Sequence, residues 1–474
     1  MSITEQALDT RRYPPIAAPA DFLWGAATAA YQIEGAADLY GRGPSIWDRF
    51  CHTPGATDAG ETGDVACDSY HLWRQDVDLM RQLRLRAYRF SVAWPRVIPA
   101  GRGEINAVGI AFYDRLVDAL CAAGIEPMVT LYHWDLPATL QDQLGGWTHS
   151  DLPHVFADYA EAIFNRLGDR VRYWITINEP WVVVDAGYFH GVHPPAVKDR
   201  AAGYRAGHNL LRAHAYAVAR FRASRCAGQI GLALNSSFSF PQSRSVEDAA
   251  AAQRALENFA GWFGDPLYFG DYPTVMRARL GSLLPEFTPS DAGLLARSTD
   301  FIALNYYTSE VVRHAPGVGA MEYEVVPQPD APHTQMNWPV RPDGFYELLK
   351  WLDRRYPGLP FYITENGAAM HDHPDEGGQV QDADRIAYLR DHIAAAFRAR
   401  REGVDLRGYF VWSLLDNLEW AAGFSKRFGL IRCDHATQRR TIKASGHWYA
   451  RLIESGRLDG EAEALAEAQS PQGI

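Results

Sequence analysis

Eight short apolar runs recur along the chain, and a helical pattern separates each run from the next. Buried strands that alternate with helices indicate a parallel sheet, because parallel strands need a long crossover connection. Eight such units predict an α/β fold, a closed (β/α)8 or TIM barrel with its active site at the C-terminal ends of the strands. The runs are centred on Trp24, Arg89, Thr130, Ile175, Leu232, Ala303, Tyr362 and Phe410.

Three of the connecting segments carry apolar residues every three or four positions and end at or near a glycine, which is typical of amphipathic helices. In the second of them, Val155, Tyr159 and Ile163 are expected on the buried face. The three predicted helices cover 111–124, 154–168 and 384–403.

No linker divides the 474 residues, so 1–474 are expected to form a single barrel domain with peripheral tails at about 1–19 and 457–474. The hydrophobic fraction of 47% and the charged fraction of 22% are ordinary for a globular protein. Residues 311–344 are the longest stretch without clear periodicity and are rich in Pro and Gly. A loop of this length is usually functional or disordered.

The charge of the chain argues against a polyanionic partner. The net charge is −11, and no run of Lys and Arg is typical of nucleic-acid binding. No apolar run reaches the roughly 18 residues that a membrane span needs. We therefore expect no nucleic-acid or membrane partner, whereas a neutral small molecule is compatible with this composition.

The cysteines and the N-terminal segment favour a reducing cytoplasm. The first residues mix Asp, Glu and Arg without an apolar core, unlike a secretory signal. The five cysteines are odd in number and never spaced CxxC, so neither a disulfide framework nor a zinc site is expected. The HDHPDE segment at 371–376 is interpreted as a solvated loop, and no metal is expected.

Two of the apolar runs end on a glutamate beside an asparagine. Residues 173–180 read YWITINEP and 361–367 read FYITENG, which places Glu179 and Glu365 at the ends of the fourth and seventh predicted strands. The C-terminal ends of all eight strands share one rim of a barrel. The two glutamates are therefore expected to lie close together.

A pair of carboxyl groups at one rim indicates glycoside hydrolysis. One group protonates the leaving oxygen, and the other attacks the anomeric carbon or activates water. Arg89 could hold one glutamate ionised, while burial and like-charge repulsion keep the other protonated. Once the nucleophile is esterified its charge is lost, so the pKa of the acid should fall and let it act as a base.

Other side chains at the strand ends suit a sugar. Directed hydrogen-bonding groups suit vicinal hydroxyls, and tryptophan faces suit the C–H side of a pyranose. The hydrogen-bonding candidates are Gln32, His133, Asn178 and Glu419, and the flat faces are Trp412 and Trp420. Trp134 follows the third run, and Asn305 and Tyr307 end the sixth.

Taken together, the motifs resemble those of glycoside hydrolase family 1, the β-glucosidase family, from about Asp21 to Leu452. The matching segments are FLWGAATAAYQIEGA, RFSVAWPRVIP, TLYHWDLP, TINEP, NYYT, ITENG and VWSLLDNLEWAAGFSKRFGL. The resemblance implies a retaining enzyme that needs neither a metal nor an organic cofactor. It implies hydrolysis of terminal β-glucosyl residues of cellobiose, short oligosaccharides and aryl or alkyl glucosides, with galactosidase or fucosidase side activity.

The resemblance also implies individual roles. Glu179 matches the acid/base and Glu365 the nucleophile. Arg89 and Tyr307 match residues that orient the nucleophile, and Asn305 a supporting position. The sugar-binding positions are matched by Gln32, His133, Trp134, Asn178, Glu419 and Trp420, with Trp412 as the platform under the ring, Phe428 as an apolar contact and Trp338 at the aglycone entrance.

Several alternatives stay open at this point. A 6-phospho-β-glucosidase is disfavoured by the Glu419 carboxylate and by Phe428 in place of a hydroxyl donor, although Lys426 matches half of the phosphate motif. A non-catalytic sugar-binding barrel would not need both glutamates. A barrel isomerase or aldolase would want a phosphate loop or a Schiff-base lysine, and neither is evident. A thioglucosidase would carry Gln at position 179. The oligomeric state is open, a homo-oligomer included.

Overall fold

The computed structural model describes residues 16, 18–224 and 226–458. The predicted tails therefore lie mostly outside the described residues. Eight parallel strands close into a barrel in which each strand pairs with its two neighbours in chain order. The strands are β1 Leu23–Ala27, β2 Ala87–Ser91, β3 Glu126–Tyr132, β4 Tyr173–Asn178, β5 Gln229–Asn235, β6 Ile302–Asn305, β7 Phe361–Asn366 and β8 Leu406–Trp412.

The barrel closes through β1, which pairs with β2 on one side and with β8 on the other. Gly25 is the register partner of Ala87 in β2 and of Phe410 in β8. All eight predicted run centres fall inside these strands. The predicted (β/α)8 barrel is therefore confirmed.

Helices surround the barrel and connect its strands. The α-helices are Ala30–Ile33, Ile46–Cys51, Ser69–Gln82, Trp94–Val97, Ala107–Ala122, Ala138–Leu144, Leu152–Leu167, Pro180–Val184, Arg200–Ala223, Val246–Leu256, Trp262–Phe269, Thr274–Leu280, Pro289–Leu295, Pro342–Arg355, Ala383–Arg401 and Ala444–Ser455. Short 3₁₀ turns occupy Gly146–Thr148, Gly281–Leu283 and Trp420–Ala422, and π-helical turns occupy Asp185–Phe189 and Glu257–Gly261.

The three predicted helices form with shifted ends, and one buried face differs from the prediction. In Leu152–Leu167, Tyr159 and Ile163 are fully buried as expected, but Phe156 is buried and Val155 is only partly covered. Successive side chains of a helix point about 100° apart, so Val155 and Phe156 cannot both face the core. The larger Phe156 occupies the buried position. None of the helices in the described part of the chain is long and apolar enough to serve as a membrane span.

The stretch 311–344 is more ordered than its composition indicates. Glu310–His314 and Tyr323–Val326 pair as antiparallel strands, and Ser239–Pro241 adds a third strand beside them. These strands are too short for their alternation to stand out from the flanking turn residues. The chain then returns to the barrel rim, where it brings Trp338 against Tyr307.

The interpretation of HDHPDE as a solvated loop is wrong for one residue. The Asp372 side chain is 1% exposed and accepts from Lys443 at 2.6 Å and from Arg385 at 2.7 Å. Lys443 also bridges to Asp416 at 2.7 Å. A buried carboxylate is stable only when it is paired in this way, and both cations come from distant parts of the sequence.

Candidate active site

Glu179 and Glu365 meet at the C-terminal rim of the barrel, as expected. Glu179 follows the last residue of β4 and Glu365 is the penultimate residue of β7. Both line a cavity of about 570 Å³. Glu179 has the left-handed backbone conformation (φ 44°), which ends the strand sharply and starts the helix Pro180–Val184. A non-glycine residue in this conformation is held there by its surroundings, a pattern that clusters at functional sites.

The residues after Glu365 explain the rest of the ENG motif. Asn366 donates to the carbonyl of Tyr306 at 2.6 Å and accepts a hydrogen bond from Tyr409, which ties the end of β7 to β6 and β8. A Cβ at Gly367 would lie 1.8 Å from the carbonyl oxygen of Trp412. Only glycine allows this close approach. The motif therefore fixes the backbone on which Glu365 stands.

Glu365 is surrounded by donors. Arg89 Nη1 lies 2.6 Å from Glu365 Oε1, and the Tyr307 hydroxyl donates to Oε2 at 2.5 Å. Arg89 is itself held by Thr130 at 3.1 Å and by Asn178 at 2.6 Å. Burial, the largest influence, leaves the pKa of Glu365 raised, and Arg89 and Tyr307 act against that rise. The contacts favour the ionised carboxylate, since hydrogen bonds from a cation stabilise the charged form.

None of the described residues places a cation in contact with Glu179. Its Oε1 accepts one hydrogen bond, from Asn305 Nδ2 at 2.7 Å. Burial, and then repulsion by Glu365, raise the pKa of Glu179 to about 8. A protonated Glu179 beside a carboxylate that a cation contacts is the arrangement that acid catalysis beside a nucleophile needs.

One side-chain amide connects Glu179 to the residues that hold Glu365. Asn305 Nδ2 donates to Glu179 Oε1 at 2.7 Å, and Asn305 Oδ1 lies 3.4 Å from Arg89 Nη1, which is the donor to Glu365. Thr364 Oγ1 donates to Asn305 Oδ1 at 2.7 Å, which fixes the orientation of the amide. Arg89 and Asn305 therefore join the two carboxyl groups through one network of hydrogen bonds.

Four buried polar atoms near the cavity have no hydrogen-bond partner among the described residues. They are Gln32 Oε1, His133 Nδ1, Asn235 Oδ1 and Glu419 Oε2. An unpaired buried polar atom costs about 1–3 kcal/mol, so such atoms at a cavity indicate partners supplied by a ligand. A mixture of side-chain oxygens and an imidazole nitrogen suits hydroxyl groups, because a hydroxyl can both donate and accept.

The tautomer of His133 follows from its neighbour. Asn178 Oδ1 accepts from Arg89 and from Asn305, so its Nδ2 is the donor to His133 Nε2 at 3.0 Å. His133 Nδ1 therefore carries the proton. Burial, and then the charge of Arg89, hold the pKa of His133 well below its usual range. A neutral imidazole thus presents one N–H to the ligand.

Aromatic rings form most of the remaining wall. Trp420 lies 4.6 Å from Trp134 and 5.9 Å from the His133 ring, between ring centroids. On the other side of the cavity, Tyr307 and Phe428 contact Trp338. Flat apolar faces among few directed polar groups are typical of small-molecule sites.

The structure brings most of the predicted site residues to this one cavity. Those that line it are His133, Trp134, Glu179, Asn305, Tyr307, Trp338, Glu365, Trp412, Glu419, Trp420 and Phe428. Gln32, Arg89 and Asn178 are fully buried behind the wall. Gln32 is held there by Leu418 and Asn417, next to Glu419.

Comparison with known proteins agrees with this geometry. The family model described as glycosyl hydrolase family 1 matches residues 15–457. The chain belongs to glycosyl hydrolase family 1. β-Glucosidase A of Thermotoga maritima is 46% identical over 93% of this chain and 98% of its own length. A 1,4-β-D-glucan glucohydrolase of Thermotoga neapolitana is 45% identical over 93% of this chain and 99% of its own length.

The solved structures agree with the sequence comparison. The family 1 β-glucosidase from Thermotoga maritima superposes with a TM-score of 0.90 at 45% identity and covers 94% of this chain and 99% of that one. The predicted family and enzyme class, a family 1 glycoside hydrolase, are therefore confirmed. The names of these relatives favour a β-glucosidase over a 6-phospho-β-glucosidase.

Sequence reasoning missed part of this family 1 cavity. Trp181 and Phe259 line it with ring centroids 4.4 Å apart, and Asn235, His193 and Met336 also contribute. Asn235 ends β5, so the strand-end rule that identified the other residues applies to it as well. Phe259 comes from the long β5–β6 connection, where no pattern in the sequence predicts its position.

Proposed function

We propose that the protein is a retaining β-glucosidase in which Glu179 is the acid/base and Glu365 the nucleophile. The observation that carries this proposal is the difference between the two carboxyl groups. Arg89 and Tyr307 contact the Glu365 carboxylate, whereas Glu179 accepts one hydrogen bond, from Asn305, and its pKa is raised to about 8. A terminal β-D-glucosyl residue would occupy the space next to both.

In the first step, the Glu365 carboxylate attacks the anomeric carbon of the glucoside. Glu179 donates its proton to the glycosidic oxygen as the bond to the aglycone breaks, so that the leaving group departs neutral. Arg89 and Tyr307 orient the attacking carboxylate, which keeps it from rotating away from the sugar. The product of this step is an α-linked glucosyl ester on Glu365 and a free aglycone.

In the second step, Glu179 acts as a base. Esterification removes the charge of Glu365, which was one of the causes of the raised pKa of Glu179. The pKa of Glu179 then falls, and its carboxylate accepts a proton from the water that attacks the ester. The released glucose has the β configuration, as in the substrate.

Retention is supported by the contacts of Glu365 and by the family to which the chain belongs. Arg89 and Tyr307 each contact one oxygen of the Glu365 carboxylate, and Glu365 lines the cavity. A carboxylate held in this way can attack the anomeric carbon directly, which is the first step of a retaining mechanism.

The sugar is held by the unpaired polar atoms and the tryptophans. Gln32 Oε1 and Glu419 Oε2 accept from hydroxyls, and His133 Nδ1 donates. Trp412 provides the platform under the ring. Further contacts come from Trp134, Asn178, Trp420 and Phe428, and Trp338 receives the aglycone.

A neutral sugar is favoured over its 6-phosphate by the charges at the cavity. Lys426, the one matching element of the phosphate motif, donates to the carbonyl of Gln335 at 3.2 Å and does not line the cavity. No Lys or Arg among the described residues lines the cavity, so a phosphate there would have no cation to pair with. Phe428, also in the wall, has no hydroxyl to offer.

Release of p-nitrophenol tests this specificity. We expect turnover of p-nitrophenyl β-glucoside and none of its 6-phosphate or its α-anomer. No Lys or Arg among the described residues lines the cavity to pair with a phosphate, and the α-linked oxygen lies away from Glu179. Turnover of the phosphate alone would contradict the neutral-sugar proposal. No release of p-nitrophenol from any of the three substrates would favour the non-catalytic sugar-binding barrel instead.

Glu419→Ser is the matched variant for that assay. It removes a hydroxyl-binding carboxyl group and puts a smaller hydroxyl donor in its place, which leaves room for a phosphate. We expect kcat/KM for the plain glucoside to fall by about 2–10-fold, since a lost hydrogen bond is worth about 0.5–1.5 kcal/mol. The ratio of phosphorylated to plain turnover should rise. An unchanged ratio would show that Glu419 does not set this selectivity.

The pH dependence of kcat/KM follows from the two carboxyl groups. Glu179 must be protonated and has a pKa of about 8, so kcat/KM should fall as the pH rises above that value. Glu365 must be ionised and burial raises its pKa, so kcat/KM should also fall on the acid side. Because Glu419 has a pKa of about 8 as well, Glu419→Gln is the control. If the fall in kcat/KM at alkaline pH disappears in Glu419→Gln, the group that titrates there is Glu419 rather than Glu179.

A reducing cytoplasm is the location we propose. All five cysteines belong to the described residues and none is in a disulfide. This is the usual state of cysteines in the cytosol.

A further inference from the structure

Three side chains with metal-binding atoms meet outside the cavity, although they are far apart in the sequence. Cys67 Sγ, Cys433 Sγ and a ring nitrogen of His435 all lie within 4.8 Å of one another. The ligands of a tetrahedral zinc ion lie about 3.5–4 Å apart, given bonds of about 2.0–2.3 Å. Small side-chain adjustments would therefore close this group around one ion.

The backbone beneath each of these residues is fixed. Cys67 is fully buried, and its N–H donates to the carbonyl of Ile33 at 3.2 Å. Cys433 lies in a β-hairpin formed by Ile431–Asp434 and Arg439–Ile442, and is 5% exposed. His435 follows in the turn of the hairpin and is half-buried, which leaves a path for an ion from solvent.

A hydrogen bond to the backbone sets the tautomer of His435. Its Nδ1 lies 3.2 Å from the carbonyl oxygen of Ala66, which can only accept, so Nδ1 carries the proton. The Nε2 lone pair is therefore free to bind a cation. Phe424 stacks on the ring at 3.9 Å and holds its plane. Metal-bound histidines are typically fixed by a hydrogen bond of this kind from the second nitrogen.

The local charges are compatible with a divalent cation. A bound metal deprotonates its thiol ligands. Two thiolates then balance the charge of one divalent ion, so no net charge is buried. The nearby Arg440 is neutralised by Asp76, with Nε 3.0 Å from Oδ1. It therefore opposes the cation only weakly.

We propose that Cys67, Cys433 and His435 form a binding site for zinc or another thiophilic divalent cation. Two thiolates and one imidazole are ligands that zinc favours. Cys67 Sγ contacts the carbonyl of Asp416 at 3.1 Å, three residues before Glu419. An ion at this site fastens the hairpin to the segment that leads into the sugar-binding loop, and thereby stabilises the folded protein.

Cobalt is a suitable probe, because Co²⁺ takes zinc sites and absorbs when it is bound by thiolates. The full-length protein is reduced with a phosphine and freed of metal by a chelator, which is then removed. It is titrated first with Co²⁺ and then with Zn²⁺. We expect a thiolate-to-cobalt charge-transfer band that saturates at one equivalent and is abolished by Zn²⁺. Zinc should also raise the Tm.

Cys433→Val and His435→Phe are the test variants, and Cys121→Ser is the matched control. The first two remove one ligand each and keep an apolar or stacked side chain in its place, so the fold is checked by retained glucosidase activity. We expect zinc affinity to fall about 100-fold or more in both and to stay unchanged in Cys121→Ser. Equal zinc affinity in Cys433→Val and in the wild type would overturn the proposal. So would the absence of a thiolate band at micromolar cobalt.

Discussion

Glu365→Gly is expected to lower kcat/KM for an aryl β-glucoside by about 10⁴-fold or more, equivalent to about 5.5 kcal/mol of transition-state stabilisation. The variant has no nucleophile, and water in the vacated space lacks a base to activate it. Arg89 keeps its contacts with Asn178 and Thr130, so the surrounding wall should persist. Initial rates of p-nitrophenol release measure the loss.

Azide should restore turnover of an activated aryl glucoside by Glu365→Gly. The small anion fits the space of the missing carboxylate next to Arg89 and attacks the face that Glu365 would attack. The product should therefore be the α-glucosyl azide, which NMR distinguishes from its anomer. Glu365→Gln is the control, because it removes the charge but fills the space, and azide should not rescue it. A β-azide from Glu365→Gly would mean that the roles of the two glutamates are reversed.

Glu179→Ala is expected to affect substrates according to their leaving groups. An aglycone of low pKa departs without protonation, so the first step should survive with dinitrophenyl glucoside. A poor leaving group such as an alkyl alcohol needs the proton, and its kcat/KM should fall by about 10²–10⁴-fold. Overall turnover of the good substrate should also be slow, since no base then activates water in the second step.

Pre-steady-state kinetics separate these two effects of Glu179→Ala. A burst of dinitrophenol followed by a slow steady state is expected, and azide should accelerate the slow phase and yield the β-azide. An equal loss of the first step for good and poor leaving groups would contradict an acid role for Glu179. It would instead indicate that the variant disturbs sugar binding through Asn305.

The fold and the carboxylate pair could be predicted because they depend on rules that act along the chain. Strand–helix alternation fixes a parallel barrel, and a parallel barrel brings the ends of β4 and β7 to one rim. Glu179 and Glu365 each end an apolar run, so their meeting follows without any knowledge of distances. Arg89, inside β2, was predicted to hold one glutamate ionised, and it lies 2.6 Å from Glu365.

What could not be predicted depends on contacts between segments that have no regular pattern. Asp372 was assigned to a solvated loop because nothing nearby in the sequence completes a set of metal ligands, yet Asp372 is buried and paired with Arg385 and Lys443. The spacing of the cysteines gave no sign that Cys67 and Cys433 meet. Such contacts are set by loop paths, on which the periodicity of strands and helices has no bearing.

The residues of the cavity wall also fall into two groups, those that the sequence predicts and those that only the structure places. Most cavity residues at strand ends were found from the sequence. Asn235 also ends a strand, and it was missed although the same rule applies to it. Trp181 follows Glu179 by two positions and enters the cavity because Pro180 starts a short helix there. Phe259, in a π-helical turn, could be placed only by the structure.

Covalent trapping tests the central claim, that Glu365 forms a glycosyl ester. The reagent is a 2-deoxy-2-fluoro-β-glucoside with a dinitrophenyl leaving group. Loss of the 2-hydroxyl hydrogen bonds slows both steps, and the good leaving group restores the rate of the first step only. The glucosyl ester should therefore form and accumulate. Mass spectrometry of the digested protein should find one fluoroglucosyl group, on Glu365, with parallel loss of activity. A label on Glu179, or hydrolysis of the natural substrate to α-glucose with no label at all, would contradict this mechanism.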